Sequence, residues 1–213
     1  MNFISEDLES YLSAHHDKES ALLADLNRQT HLKILQPRML SGALQGRYLS
    51  FLSKLLKPQH ILEIGTYTGY SALCLAEGLA PSGRLDTIEI NDELETFILS
   101  YFNRSTFADQ LNLHLGDALE IIEELVKPWD LVFIDADKPR YLDYYQKLIP
   151  HLKSGAVILA DNVLWSGKVL KEPKPRDEST IALLKFNRFV QNDERVENML
   201  LPLRDGLMCI RKK

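Results

Sequence analysis

The chain has 213 residues, of which 45% are hydrophobic and 26% charged, a length and balance that favour a single domain over residues 1–213 with a sizeable core. Its formal net charge of -5 and its lack of a long basic run exclude the electrostatic footprint of a nucleic-acid-binding protein. Because no apolar run is long enough to span a membrane and Cys74 and Cys209 lie far apart, we expect no membrane contact and a reducing, cytoplasmic location.

The chain opens with helical patterns. Apolar residues recur at helical spacing over residues 5–16 and 19–30, with Ser5 as a candidate cap, and a third helix is predicted over 43–56. Residues 1–41 therefore precede the sheet. We expect these N-terminal helices to contribute to substrate binding or to contacts between subunits.

Strands and helices then alternate. Strands are predicted at 60–64, 84–89, 111–115, 130–135 and 155–160, and helices at 69–79, 92–104, 118–126 and 139–151. A helix over 178–191, a run over 196–202 and a strand over 206–211 follow, with Asp205-Gly206 as a hairpin turn. This order predicts a Rossmann-like, doubly wound α/β fold, with helices on both faces of a seven-stranded, mostly parallel sheet that has one antiparallel strand.

The turn after the first strand indicates a nucleoside site. Residues 61–71 read Ile-Leu-Glu-Ile-Gly-Thr-Tyr-Thr-Gly-Tyr-Ser, so that an apolar strand passes through Gly65 and Gly69 into a helix. Glycines allow close approach of a ligand, and a helix start offers free N–H groups to an anion. Tyr67 and Tyr70 stand where a dinucleotide fingerprint needs glycine, which disfavours NAD. An ordinary strand–turn–helix link is the alternative.

Two positions further along fit the same ligand. Glu89 ends the second strand, where doubly wound sheets place a carboxylate that accepts ribose hydroxyls. Alternatively, Glu89 only adds negative charge to the start of the next helix. After the third strand, the small side chain of Ala118 leaves room for a flat base, although this stretch is also a plain helix start.

Oxygen ligands follow the fourth and fifth strands. Asp135 comes directly after the fourth strand, and Asp161 and Asn162 come after the fifth. In an open α/β sheet the carboxyl ends of such strands lie at one ligand crevice. Two carboxylates and an amide suit Mg²⁺, Ca²⁺ or Mn²⁺ better than zinc, and three protein ligands leave room for water or substrate oxygens.

Lys138 and Trp165 lie beside these ligands in the sequence. Lys138 is a candidate base whose pKa a divalent cation and partial burial would lower; its alternative is a solvated surface lysine. Trp165 forms either an apolar wall for an aromatic ring or a hydrophobic anchor for a long loop.

Several motifs together resemble those of a known family. They are Met39-Leu40-Ser41 with Gln45-Gly46, Leu62 to Ser71, Phe133 to Lys138 with Tyr141, Asp161 to Gly167, and Leu201 to Gly206. On these motifs the chain resembles the class I S-adenosylmethionine-dependent O-methyltransferases of the cation-dependent catechol and caffeoyl-CoA type, and its pattern is closer to the bacterial members.

The resemblance implies a role for each matching residue. Residues of the methyl-donor site would be Ser41, Glu63, Gly65, Thr66, Tyr67 and Ser71 for the methionine part, Glu89 for the ribose, and Ala118, Asp135 and Asp137 for the remaining contacts. Asp135, Asp161 and Asn162 would bind the cation, and Lys138 would accept the proton.

The resemblance also implies the reaction. A methyl group would pass from S-adenosylmethionine to a hydroxyl of a small catechol-like aromatic, leaving S-adenosylhomocysteine, in an enzyme that is usually a homodimer. Two alternatives stay open: a nucleoside-binding homologue without activity, and another enzyme of the same fold, such as an aminopropyltransferase or a NAD-dependent oxidoreductase. The substrate itself and the role of Ser166 are not specified by the sequence.

Overall fold

A computed structural model describes residues 5–213, apart from the side chains of Glu6 and Glu9, so the first four residues of the predicted domain lie outside the described part. The described residues form two compact units, an N-terminal unit over residues 5–117 and a C-terminal unit at Ala118–Lys213. No helix among the described residues has both the length and the apolar character needed to cross a membrane.

The N-terminal unit contains the predicted opening helices and the first three strands. Its helices are α1 (Glu6–Ala14), α2 (Ala21–Lys33), α3 (Gly42–Leu56), α4 (Tyr70–Ala76) and α5 (Glu95–Phe102), and its strands are β1 (His60–Ile64), β2 (Arg84–Glu89) and β3 (Leu111–Leu115). Ser5 and Ser20 cap α1 and α2, since their side chains accept hydrogen bonds from Leu8 N–H and Leu23 N–H. The predicted cap at Ser5 is confirmed.

The C-terminal unit contains the remaining elements. Its helices are α6 (Ala118–Glu124), α7 (Tyr141–Leu148) and α8 (Glu178–Gln191), and its strands are β4 (Leu131–Ile134), β5 (Val157–Ala160), β6 (Val196–Leu201) and β7 (Leu207–Lys212). The helix predicted over 139–151 is shorter than expected. Pro139 and Pro150 both lie in short 3-10 turns that flank α7, because proline has no N–H and restricts the residue before it.

The seven strands form the predicted, mostly parallel sheet, in the order β3-β2-β1-β4-β5-β7-β6. β1 pairs with β2 and β2 with β3 in parallel, and in the C-terminal unit β4 pairs with β5 in parallel. β7 runs antiparallel to both β5 and β6. The prediction of one antiparallel strand, produced by a hairpin at Asp205-Gly206, is confirmed.

Each unit has an apolar core. In the N-terminal unit, Leu49 of α3, Ile61 and Leu62 of β1 and Leu75 of α4 are fully buried. In the C-terminal unit, Phe186 of α8 packs edge-on against the ring of Tyr145 of α7, with ring centroids 6.1 Å apart. These cores hold α3 and α4 together in the N-terminal unit and α7 and α8 together in the C-terminal unit.

A half-buried ion pair joins α3 to the end of α4. The two terminal nitrogens of Arg47 donate to the two carboxylate oxygens of Glu77 at 3.0 and 2.8 Å, and Ser50 and Lys54 donate to the same carboxylate at 2.6 and 2.8 Å. Gly46 allows this close approach, because a Cβ there would lie 2.6 Å from the ring of Tyr70. Burial alone would raise the pKa of Glu77, but these hydrogen bonds outweigh it and lower the pKa to about 2.

We predict that Glu77→Gln lowers the free energy of unfolding at pH 7 by about 1–3 kcal/mol, because the variant leaves the Arg47 charge uncompensated. A carboxyl whose pKa is depressed on folding stabilises the fold above its unfolded pKa near 4.5 and loses that effect as the pH falls toward 2. Urea unfolding of both proteins from pH 7 to pH 2.5 should therefore show a difference that is constant above pH 5 and shrinks below it.

The matched control is Glu197→Gln. Glu197 forms an ion pair with Arg211 in which both side chains are more than half exposed, so the change should shift the unfolding free energy by less than about 1 kcal/mol. Equal losses in the two variants, or a Glu77 difference that does not depend on pH, would show that the half-buried network around Glu77 does not stabilise the fold.

Candidate active site

The turn between β1 and α4 is held tightly against β2. Gly65 N–H and Thr66 N–H both donate to the carbonyl of Ile88, at 2.9 and 3.2 Å. Gly65 has φ +96° and Gly69 has φ +86°, and a Cβ on Gly69 would lie 2.7 Å from the ring of Phe102. Both glycines are therefore required by the backbone, as the turn's sequence predicts.

Glu89 fastens this turn from the end of β2. One oxygen of its carboxylate accepts Tyr67 N–H at 2.6 Å, and the other accepts Asn91 N–H at 2.9 Å. The residue is only 7% exposed. The helical turn that follows is capped by the side chain of Asn91, which accepts from Glu93 N–H at 3.1 Å. Glu89 therefore does more than add charge at a helix start: it shapes the glycine turn.

A second carboxylate lies in the same unit. Glu63 of β1 is fully buried and accepts a hydrogen bond from the hydroxyl of Thr87 at 2.5 Å. The Thr87 hydroxyl lies 2.5 Å from that of Thr66, so a continuous polar chain joins the turn to β1. A buried carboxylate is tolerated only with such partners.

The N-terminal segment is bound to the same turn. The hydroxyl of Tyr67 donates to the carbonyls of Leu35 and Gln36 at 3.0 and 3.2 Å, and that of Tyr70 donates to Glu19 at 2.5 Å. Thr30 of α2 adds a hydroxyl contact to Thr68 at 3.3 Å. The helices predicted to precede the sheet are therefore attached to the predicted nucleoside turn.

The structure places the other predicted cofactor residues at starts of helices. Ser41 and Ser71 are buried at the beginning of α3 and α4, and Ala118 is the buried first residue of α6. Asp137 is exposed and precedes a 3-10 turn. Among the described residues, hydrogen bonds that involve side chains connect Glu63 with Thr66 through Thr87, and Tyr67 with Glu89. The side chains of Ser41 and Ser71 do not take part in them.

In the C-terminal unit, Asp135 and Asp161 follow two neighbouring strands. Ile134 pairs with Ala160 in the parallel β4–β5 ladder, and Asp161 N–H donates to the Ile134 carbonyl at 2.9 Å. The two acidic residues are therefore adjacent at the same edge. Asp161 is 1% exposed and its carboxylate accepts Asn162 N–H at 2.8 Å.

Lys138 is buried beside Asp135. It is 8% exposed, and its Nζ donates to Asp135 Oδ1 at 2.8 Å and to the hydroxyl oxygen of Tyr141 at 2.7 Å. The alternative of a solvated surface lysine is wrong. Burial lowers the pKa of Lys138 as expected, but the charge of Asp135 and the contact with Tyr141 outweigh burial and raise the pKa above its usual value.

The loop after Asn162 is held in an unusual backbone conformation. Asn162, Trp165 and Ser166 have φ between +49° and +59°, a region that costs about 1 kcal/mol for residues other than glycine. Asp205 compensates for it, since its carboxylate accepts Ser166 N–H and its carbonyl accepts Leu164 N–H. Burial raises the pKa of Asp205, although the Ser166 N–H and the Lys138 charge oppose the rise.

Two side chains near Lys138 and the loop after Asn162 have no role predicted from the sequence. In the sequence, Tyr141 is only part of a motif, and Asp205 is part of a motif and of a predicted hairpin turn. The spacing of Tyr141, three residues after Lys138, places both on one side of a 3-10 turn and is the signal that could have indicated their contact. No sequence signal indicates that Asp205 binds Ser166. Trp165 lies with its ring centroid 6.0 Å from Lys138 Nζ.

The predicted cation site would use oxygen ligands only. Among residues 5–213, no group of three or more His, Cys, Asp or Glu side chains is arranged to hold a metal ion. Asp135 and Asp161 supply two carboxylates, so a site here needs the amide oxygen of Asn162 as its third protein ligand. These oxygen donors fit a hard divalent cation in chemical type.

Known proteins resemble this chain over most of its length. The sequence profile of the O-methyltransferase family matches residues 12–213. Caffeoyl-CoA O-methyltransferase 1 of Eucalyptus globulus is 33% identical over 184 residues, which cover 82% of this chain and 75% of that protein.

Two solved structures share the fold. The S-adenosylhomocysteine-bound methyltransferase PaMTH1 of Podospora anserina has a TM-score of 0.90 and 27% identity, and the similarity covers 100% of this chain and 98% of that chain. The O-methyltransferase TomG of Streptomyces achromogenes, solved with S-adenosylmethionine, has a TM-score of 0.90 and 28% identity, covering 99% and 100%. The predicted resemblance to S-adenosylmethionine-dependent O-methyltransferases is confirmed, and the chain belongs to the O-methyltransferase family.

Proposed function

We propose that this chain transfers the methyl group of S-adenosylmethionine to a hydroxyl of a small catechol-like aromatic, with the help of a divalent cation. The observation that supports this most strongly is the cluster at the ends of β4 and β5, in which Asp135 and Asp161 are adjacent and Lys138 is buried against Asp135. A silent nucleoside-binding protein has no need for a buried lysine next to two acidic residues.

The N-terminal unit supplies most of the proposed methyl-donor site. Glu89 would accept the ribose hydroxyls, because each oxygen of its carboxylate has bound only one N–H and can accept a second hydrogen bond. The proposed residues for the methionine part are Ser41, Glu63, Gly65, Thr66, Tyr67 and Ser71. The proposed remaining contacts are Ala118, Asp135 and Asp137.

The C-terminal unit supplies the groups for the acceptor. Asp135, Asp161 and Asn162 would hold the cation, which when bound would lower the pKa of a substrate hydroxyl. Lys138 would first release one proton from its ammonium group to solvent, and the neutral amine would then take the hydroxyl proton while the oxygen forms a bond to the methyl carbon. The bond from that carbon to sulfur breaks in the same step, so the sulfonium becomes the neutral thioether of S-adenosylhomocysteine. Because Asp135 would share its charge with the cation, its hold on the Lys138 proton would weaken.

Two further features are part of the proposal. We propose a homodimer, supported by the similarity to the family and by exposed apolar side chains of the N-terminal unit, among them Tyr11, Leu32 and Phe51; light scattering of the purified chain would test it. We also propose a reducing, cytoplasmic location, supported by Cys74 and Cys209, which form no disulfide with each other.

The proposed activity predicts methylation of a catechol that depends on a divalent cation. Catechols, flavonoids and hydroxycinnamoyl thioesters would be incubated with S-adenosylmethionine labelled in its methyl group, with Mg²⁺ or after treatment with EDTA. We expect labelled product only with the cation, and recovery when Mg²⁺ is added back. Activity that survives thorough chelation would contradict the cation, and binding of S-adenosylmethionine without any transfer would favour a silent homologue.

The proposed base predicts that Lys138→Ala lowers kcat by about 10²- to 10⁴-fold, the usual contribution of a positioned acid or base. Affinity for S-adenosylhomocysteine, measured by calorimetry, should be retained because the methyl-donor residues are unchanged. Lys185→Ala is the control, since Lys185 is exposed on α8. Wild-type turnover in Lys138→Ala would rule out Lys138 as the proton acceptor.

A further inference from the structure

We propose that Tyr141 is a positioning residue whose hydroxyl holds the Lys138 side chain in place for proton transfer. This inference rests on the proposed function, in which Lys138 is the proton acceptor. Tyr141 itself neither accepts the substrate proton nor binds the cation in the proposed mechanism.

The hydrogen bonds of the Tyr141 hydroxyl fix its orientation. The Lys138 ammonium has only donors, so at 2.7 Å it must donate to the hydroxyl oxygen of Tyr141. The single hydroxyl proton of Tyr141 is then left for a carbonyl, and the carbonyls of Asp161 and Ile134 lie at 3.1 and 3.2 Å. The hydroxyl therefore links Lys138 to the ends of β4 and β5.

The ring of Tyr141 cannot move easily. Tyr141 is fully buried as the first residue of α7, and its ring packs edge-on against Phe186 with centroids 5.7 Å apart. A lysine side chain loses conformational entropy when it is fixed in one geometry. An immobile partner within hydrogen-bond distance reduces the number of positions that Nζ can take.

Asp135 cannot supply this positioning alone. Its carboxylate accepts a hydrogen bond from Lys138 Nζ, and it is also a proposed cation ligand. A carboxylate that binds a cation holds a neighbouring ammonium less firmly. Tyr141 is uncharged and is not a proposed ligand, so its contact with Lys138 does not depend on the state of Asp135.

The test is Tyr141→Phe, which removes the hydroxyl and keeps the ring. We expect kcat to fall about tenfold or more, a fraction of what a positioned base contributes, with KM for S-adenosylmethionine unchanged within about twofold. The matched control is Tyr145→Phe. Tyr145 is also fully buried on α7 and packs against Phe186, but its hydroxyl donates to Asp193 at 2.8 Å, away from Lys138. Tyr145→Phe should lower the melting temperature as much as Tyr141→Phe does, and it should leave kcat unchanged.

A double variant separates positioning from a merely structural effect. If Tyr141 acts through Lys138, adding Tyr141→Phe to Lys138→Ala should lower kcat by less than about twofold further, because coupled residues are not additive. Equal loss of kcat in the Tyr141 and Tyr145 variants, a full additional loss in the double variant, or wild-type kcat in Tyr141→Phe would overturn the inference. Wild-type turnover in Lys138→Ala would instead show that the proposed base is wrong.

The wild-type chain offers a measurement that needs no folded Tyr141 variant. An ammonium group held by two hydrogen bonds exchanges its protons slowly with water and gives an ¹⁵N–¹H signal in lysine-labelled protein. We expect such a signal that is lost in Lys138→Ala. Its absence from the wild-type spectrum would overturn the inference, because Nζ would then be mobile.

Discussion

Burial of charge at the carboxyl ends of the strands is the constraint on which both units depend. β1, β2, β4 and β5 are almost fully buried along most of their length, and β1, β4 and β5 are mainly apolar, yet charged residues lie in or directly after all four strands. An ionised group without partners in such a place would be far too costly, so each must be hydrogen-bonded. Glu89 accepts two backbone N–H groups, and Lys138 donates to Asp135 and Tyr141.

The same hydrogen bonds that make this burial tolerable also fix geometry. Glu89 binds the N–H of Tyr67 and so sets the position of the glycine turn, and Tyr67 in turn binds the carbonyls of Leu35 and Gln36. In the C-terminal unit, Asp205 holds the strained loop that follows Asn162. Groups held in this way need little rearrangement to bind a ligand, which is how preorganised sites gain both affinity and rate.

Much of the fold could be predicted because its signals are local. The strands 60–64, 84–89 and 111–115 have the predicted bounds, since short segments with recurring apolar residues, set between turns and helices, can be recognised without tertiary information. The cap at Ser5 and the hairpin at Asp205-Gly206 are local in the same sense. The buried acidic residues could be expected at the strand ends because parallel sheets expose those ends together.

The features that the sequence does not predict depend on contacts between segments that are distant in the sequence, or on opposing contributions to the free energy. The Asp205 bond to Ser166 joins residues 39 positions apart, and nothing in either segment indicates it. The pKa of Lys138 was expected to fall with burial, but its net direction depends on whether Asp135 outweighs desolvation, which only the geometry decides. A cation bound by Asp135 would partly neutralise its charge and so lower the pKa of Lys138. The proposed role of Lys138 as a base therefore depends on the cation site.

Direct binding of a cation tests that site without any assumption about the substrate. Mn²⁺ would be titrated into the purified, chelator-treated chain and followed by its electron paramagnetic resonance signal, for the wild type and for Asp161→Asn. We predict one saturable Mn²⁺ site per chain in the wild type and at least tenfold weaker binding in Asp161→Asn, since the charged carboxylate ligand becomes a neutral amide. No saturable site in the wild type, or equal affinity in both proteins, would contradict it.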